Sequence, residues 1–228
     1  MRHDDVSAVA VLEDQQRARL YAFVRGASGP VTREEAATAC AISRKLAAFH
    51  LDRLVDAGLL DATYERPANT GAQVGRTPKR YSPADVEVAV TIPDRHYELV
   101  GEILLDAVTS AGPAESVSEA IGRVSRERGR QVGVQTRAER TLGRIGPERG
   151  LAIVAELLSR HGFEPAATSH GLIQRNCPFH RFARQHPALV CGMNRDFVDG
   201  ILEGLGARRL GATLDPADGR CCVTVTAE

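Results

Sequence analysis

The sequence contains no tryptophan, and aromatic residues make up only 4% of its 228 residues. Its cores must therefore be built mainly from leucine, valine and alanine, which a hydrophobic content of 43% still allows. The chain also lacks net charge, with 29 basic and 29 acidic residues, so any attraction to a polyanion has to come from local patches. The length suffices for one large domain or two small ones.

Long apolar runs and familiar catalytic motifs are missing as well. No stretch approaches the roughly 18 apolar residues of a membrane span, and the start, MRHDDVSAVAVLEDQQ, is not typical of a signal peptide, so we expect a cytoplasmic protein. There is no nucleophile elbow, phosphate loop or HExxH. A thiol hydrolase using Cys177, His180 and Asp215 is conceivable, but we expect no enzymatic activity.

Patterns along the chain predict an α+β protein in three segments, residues 1–83, 84–145 and 146–228. In the first segment, Thr32 and Glu35 have the spacing of a capping box, and Ser43 is placed to cap a second helix that Gly58 ends. A strand, a loop rich in glycine and proline, and a returning strand follow. This order predicts an N-terminal winged helix-turn-helix.

The helix after Ser43 is predicted to present one face to the core and the other to DNA. The inward face comprises Leu46, His50, Leu51 and Leu54. Arginine and lysine at the start of a recognition helix can donate to guanine, and a basic wing can enter the minor groove. The candidate DNA-binding residues are Thr32 and Ser43 at helix starts, Arg44, Lys45, Ala48 and Phe49 on the outer face, and Arg76, Lys79 and Arg80 in the wing.

A charge run alone usually marks only a solvated surface, so this prediction depends on the helix pattern and the basic wing occurring together. The stretch AATACAISRKLAAFHLDRLVDAGLL, followed by GRTPKRYSP, resembles the winged helices of ArsR- and DeoR-type bacterial repressors. The resemblance covers about the first third of the chain and implies DNA binding.

The middle segment is predicted to be a helical dimerisation and linker region. The stretch RHYELVGEILLDAVTSA has a broad apolar stripe that includes Leu99, Ile103 and Leu104. We expect this stripe between two subunits; packing within one subunit is the other role considered, and the two are compatible. The later stretch RGRQVGVQTRAERTLGRIG is interrupted by glycine, which indicates a linker.

Four of the five cysteines lie in the last segment, which is predicted to be an α+β sensor domain. Cys177, Cys191 and Cys221 are expected at the ends of three elements, where they can converge. A reducing cytosol disfavours disulfides, so convergent thiols there suit zinc or an iron–sulfur cluster. The candidate fourth ligands are Cys222, His180 and His186, and Cys222 is less favoured because adjacent strand residues point to opposite faces.

Two interpretations without a metal stay open. The four thiols can be buried packing residues, as we expect for Cys40 in the first segment. They can also form a thiol redox switch, through Cys221 with Cys222 or Cys177 with Cys191.

The stretches CPFHRFARQHPALVCGMN, EGLG and DPADGRCC resemble the C-terminal sensor domain of the SufR-type repressors. This resemblance implies a cluster, [4Fe-4S] or [2Fe-2S], held by Cys177, Cys191 and Cys221. It also implies a homodimer whose affinity for an operator in double-stranded DNA depends on the cluster, and therefore a transcriptional regulator that acts as a repressor.

Overall fold

The computed structural model describes residues 3–64 and 78–227, which form a mixed α+β chain. They divide into two units, residues 1–90 and residues 91–228, each with its own hydrophobic core. The three predicted segments differ from this division, because residues 91–145 pack with the C-terminal part of the chain.

In its described residues, 3–64 and 78–90, the N-terminal unit packs four helices with a small antiparallel sheet. Its elements in order are α1 (His3–Val11), α2 (Gln15–Gly26), β1 (Val31–Thr32), α3 (Arg33–Cys40), α4 (Arg44–Asp56), β2 (Leu60–Thr63) and β3 (Arg80–Pro83). The strand order is β1-β3-β2. Leu20, Leu51, Leu54 and Tyr81 are almost completely buried in its core, and Cys40 lies with them, as predicted.

Local hydrogen bonds set the boundaries of α3 and α4. The Thr32 hydroxyl accepts from the Glu35 amide, and the Glu35 carboxylate accepts from the Thr32 amide at 2.6 Å, which confirms the capping box. The Ser43 hydroxyl accepts from the Leu46 amide at 3.2 Å, which confirms the second cap. Gly58, just past the end of α4, has φ +72°, a value that favours glycine.

The C-terminal unit combines five helices with a four-stranded antiparallel sheet. Its elements in order are α5 (Tyr97–Ser110), α6 (Val117–Glu139), α7 (Pro147–Arg160), β4 (Pro165–Thr168), β5 (Gly171–Gln174), α8 (His180–Gln185), α9 (Pro187–Leu205), β6 (Leu210–Leu214) and β7 (Val223–Ala227). The strand order is β4-β5-β7-β6. The predicted hairpin, the helix break at Pro187 and the two final strands are confirmed.

Residues 128–139 of the predicted linker are instead the second half of α6, which packs closely along α9. Gly129 and Gly133 of α6 are buried, and a Cβ atom on either would overlap the α9 backbone at Phe197 or Ile201. In the sequence these glycines look like helix breakers. They are tolerated within the helix because their missing side chains let the two backbones approach.

The apolar stripe of α5 also differs from the prediction. Ile103 is 0% exposed, and it lies in the core of its own unit together with residues of α6, α7 and α9. Leu99 and Leu104 are partly buried against the same core. The stripe therefore packs within one chain, which was the other role considered for it.

Candidate functional site

The four C-terminal cysteines come from three parts of the unit and meet in two pairs. Cys177 lies in the turn between β5 and α8, Cys191 lies on α9, and Cys221 and Cys222 lie just before β7. The Cys177 thiol is hydrogen-bonded to the Cys221 sulfur. Cys191 and Cys222 form a disulfide, with their Cα atoms 6.5 Å apart.

Cys221 is the sulfur of the first pair whose ionisation its hydrogen bonds favour. The hydrogen bond from Cys177 is the main cause that lowers the pKa of Cys221. The Val223 backbone amide and the side-chain amide of Asn194, whose nitrogen lies 3.3 Å from the sulfur, lower it further. Cys221 accepts these hydrogen bonds while almost completely buried, since it is 1% exposed.

Cys177 is the donor of this pair. Its hydrogen bond to Cys221 and then its burial raise the pKa of the Cys177 thiol above the ordinary range. Cys177 therefore loses its proton less readily than Cys221 does.

The disulfide corrects two expectations about the thiols. The sequence led us to expect no disulfide, and the switch pairs considered were Cys221 with Cys222 and Cys177 with Cys191. The observed partners are Cys191 and Cys222, because their Cα separation lies within the range that a disulfide spans. Cys222, the less favoured candidate ligand, is thus covalently bonded, whereas its neighbour Cys221 turns into the core.

The two histidines considered as fourth ligands lie on the exposed surface of the unit. His180 begins α8, and His186 borders a small apolar cavity of about 100 Å³ between α5, α8 and α9. Across residues 3–64 and 78–227, no group of three or more histidine, cysteine or acidic side chains is arranged to hold a metal ion. In this disulfide-bonded state the cysteines therefore do not fit a zinc ion or a cluster.

Asn194 is a component of the thiol site that the sequence analysis missed. It lies on α9, almost one turn after Cys191, so both side chains face the segment that carries Cys221 and Cys222. A polar residue one turn from a cysteine inside an apolar helix is the sequence signal that points to it.

The second candidate site is the outer face of α4. Arg44, Lys45 and Phe49 are exposed, as predicted, and Phe49 is 56% accessible, while Ala48 is half-buried. Leu46 was expected in the core but is 40% exposed, because Ala47 takes the buried position beside it. The outer face thus joins two cations to two large apolar side chains.

Several predicted DNA contacts have partners within the N-terminal unit. The Arg44 guanidinium lies 2.6 Å from the Glu34 carboxylate, and Lys79 lies 2.6 Å from Asp52 on α4. Arg80 donates to the Pro30 carbonyl at 2.8 Å. The Thr32 hydroxyl donates to Glu35 within the capping box. Arg76 lies outside the described residues.

No protein-family model matches the chain, and no curated protein matches it at a significant level of similarity. In the described parts of the chain, no helix has the length and apolar character needed to cross a membrane.

Proposed function

We propose that this protein is a DNA-binding transcriptional regulator, acting as a repressor, in which the C-terminal cysteines sense the signal. The observation that carries the proposal is the outer face of α4. Helices α3 and α4 are joined by a short turn and followed by strands β2 and β3, an order that fits a winged helix-turn-helix. In such a motif the second helix enters the major groove.

The charges on α4 are available to DNA at low cost. Arg44 forms an exposed ion pair with Glu34, and such pairs contribute about 0.2–1 kcal/mol. A phosphate or a guanine edge can therefore replace Glu34. Lys45 extends from the same first turn of the helix.

The exposed apolar side chains on this face would be removed from water by contact with base edges. Leu46 and Phe49 lie almost one turn apart, and both are exposed next to the two cations. Apolar side chains contact the thymine methyl group in the major groove. Exposed leucine and phenylalanine beside arginine and lysine therefore favour DNA over a solvated surface role.

The sensing chemistry has three candidates. The first is an iron–sulfur cluster, [4Fe-4S] or [2Fe-2S], with Cys177, Cys191 and Cys221 as ligands and Cys222 or His180 as the fourth. Zinc at the same residues is the second. The third is a thiol–disulfide switch without metal.

The Cys191–Cys222 disulfide favours the third candidate in the described state, because it leaves only Cys177 and Cys221 as thiols in the site. A metal would require this bond to be reduced first, which would add two thiols to Cys177 and Cys221 and give four in all. The reduced state therefore has four thiols at this site, whereas the oxidised state has two.

The DNA proposal is tested with a double variant of α4. Arg44→Ala with Lys45→Ala should weaken binding to a site selected from random duplexes, and the slope of log affinity against log salt should fall by about one for each phosphate that the variant no longer neutralises. The matched control is Arg208→Ala with Arg209→Ala, which removes two exposed cations from the C-terminal unit. Equal affinity and salt slope in the α4 variant and the wild type would show that α4 does not read DNA.

The sensing proposal is tested by counting thiols and metal. Protein purified without reductant should have three free thiols after unfolding, from Cys40, Cys177 and Cys221, and five after reduction. Anaerobic protein, reduced and supplied with iron and sulfide, should bind iron that is absent from Cys177→Ser, Cys191→Ser and Cys221→Ser, while Cys40→Ser retains it. Wild-type iron content in all three variants would exclude a cluster, and zinc in protein never exposed to air would favour the second candidate.

A further inference from the structure

The loop that carries Cys177 is bonded to the first residues of its own unit. Asn176 is 6% exposed, and its side-chain nitrogen donates to the carbonyl oxygens of Asp94 at 3.0 Å and Gly162 at 2.7 Å. Its side-chain oxygen accepts from the Arg95 guanidinium at 2.5 Å. A buried amide satisfied on both ends holds the surrounding backbone in one arrangement.

Arg95 and His96 complete this connection. The guanidinium nitrogen of Arg95 that bonds to Asn176 also donates to the Cys177 carbonyl at 2.9 Å. The His96 backbone amide donates to the Pro178 carbonyl at 3.3 Å. We call residues 94–96 the strap and residues 176–178 the thiol loop. Four hydrogen bonds join them.

The strap lies close to the boundary between the two units in the chain, where a change in its order can affect the connection to the N-terminal unit. The C-terminal unit begins at Thr91, so the strap is almost the first part of that unit after the chain leaves the N-terminal unit. Cys177 lies in the middle of the thiol loop, and its thiol is hydrogen-bonded to the Cys221 sulfur. Cys177 thus contacts Cys221 through its side chain and the strap through its backbone carbonyl.

We propose that the hydrogen bonds from Arg95 to the Asn176 side chain and to the Cys177 carbonyl couple the state of the Cys177 sulfur to the order of the strap. Any chemistry that engages this sulfur, whether metal binding or oxidation, turns the Cys177 backbone and removes its carbonyl from Arg95. The strap then loosens at the point where the chain leads to the N-terminal unit. The use of this coupling in DNA binding rests on the proposed function, whereas the coupling itself does not.

Hydrogen–deuterium exchange of the full chain tests the coupling without DNA. In Cys177→Ser the peptide covering residues 91–97 should exchange severalfold faster than in the wild type, because the bond that positions the thiol loop is weakened. Cys221→Ser replaces the sulfur acceptor of the same bond by a neutral hydroxyl on a shorter side chain and should act in the same direction. Cys40→Ser in the other unit should have no effect there. Wild-type exchange of residues 91–97 in both Cys177→Ser and Cys221→Ser overturns the proposal.

Variants of the strap test the assigned residues. Arg95→Ala and Asn176→Ala should each speed exchange of residues 91–97 in the presence of all cysteines, and adding Cys177→Ser should then have little further effect. Arg95→Lys should fall between wild type and alanine, since an ammonium does not reproduce the planar fork of the guanidinium. Arg175→Ala, which removes the exposed neighbour of Asn176, is the matched control. A full additional effect of Cys177→Ser in the Arg95→Ala protein would refute the role of Arg95.

A DNA measurement on the same proteins separates this inference from the proposed function. If the strap is used in regulation, Cys177→Ser should change operator affinity by a factor of about 5–150, the usual range of allosteric coupling, and Arg95→Ala should abolish that change. Exchange that follows the expected pattern supports the coupling even if no variant alters DNA affinity, and in that case the proposed regulation of DNA binding fails. If Cys177→Ser changes operator affinity equally in the wild-type and Arg95→Ala backgrounds, the strap does not transmit the change, although the cysteines still affect DNA binding.

Discussion

At the scale of single residues, the chemistry of the thiol site depends on which sulfur loses its proton more readily. Cys221 accepts hydrogen bonds from Cys177, Asn194 and the Val223 amide, and these bonds stabilise its thiolate. Cys177 donates and loses its proton less readily. The thiolate is the reactive and metal-binding form of cysteine, so Cys221 is the prepared ligand or nucleophile of the pair.

The lowered pKa of Cys221 predicts ultraviolet absorbance of its thiolate at a pH below about 8.5, the ordinary value for cysteine. Asn194→Ala keeps every thiol but removes one donor, so the titration midpoint should move upward. Because the pKa of Cys221 is lower in the folded state, its contribution to stability is present above about pH 8.5 and is lost as the pH falls through the folded value. An unchanged midpoint in folded Asn194→Ala protein would remove Asn194 from the site.

At the scale of elements, the contact between α6 and α9 organises the C-terminal unit. Glycines face each other on both helices, Gly129 and Gly133 on α6 and Gly200 and Gly204 on α9, and each would place a Cβ atom onto the backbone of the partner helix. The pairs have the small-xxx-small spacing that allows close helix approach, which is best known from membrane helices. Here the same spacing joins two helices that carry the Arg126 ion pairs with Asp196 and Asp199 on their surface.

We predict that Gly200→Ala destabilises the unit by about 1–3 kcal/mol, the usual cost of overpacking, because its Cβ atom would overlap the Arg126 carbonyl oxygen. Gly192→Ala on the same helix is the control, since no atom lies within 4 Å of its Cβ position. That control should be neutral or stabilising by up to about 1 kcal/mol, because alanine favours helix more than glycine does. Urea denaturation measures both, and equal stability of the two variants would contradict the close packing.

At the scale of the whole molecule, the expected dimer needs a different surface from the one predicted. Ile103 is inside its own unit, whereas Leu105 and Val108 of α5 are 68% and 69% exposed. Together with Gly101 they lie at helical spacing on the outer side of α5. A regulator that reads two half-sites needs two copies, so we assign the proposed dimer contact to this outer side.

We therefore predict that Leu105→Glu with Val108→Glu gives folded monomers with weakened operator binding, as measured by sedimentation and by titration of DNA. Val134→Glu, which adds charge at another exposed valine, should leave the assembly unchanged. Ile103→Glu should instead unfold the unit, because it buries a charge in the core. A wild-type protein that is monomeric at working concentration would end the dimer proposal.

The amino-acid sequence by itself determined the features that depend on neighbours along the chain. The Thr32–Glu35 capping box, the Ser43 cap and the break at Pro187 were all predictable, because each involves hydrogen bonds or ring geometry within a few residues. The hairpin of β4 and β5 and the burial of Cys40 were predictable in the same way. The predicted convergence of Cys177, Cys191 and Cys221 on one point was wrong, because Cys191 lies within α9 and pairs with Cys222 rather than with the other two.

Only the tertiary structure decided which of these groups meet. The partners Cys191 and Cys222 lie 31 residues apart, and Asn176 reaches Asp94 across 82 residues, so their contacts depend on how α9, β7 and the strap pack. The same packing buried Ile103 and turned the glycines of α6 from helix breakers into contact points. The periodicity of apolar residues predicts which face of an element is buried, whereas the packing of the elements determines what that face contacts.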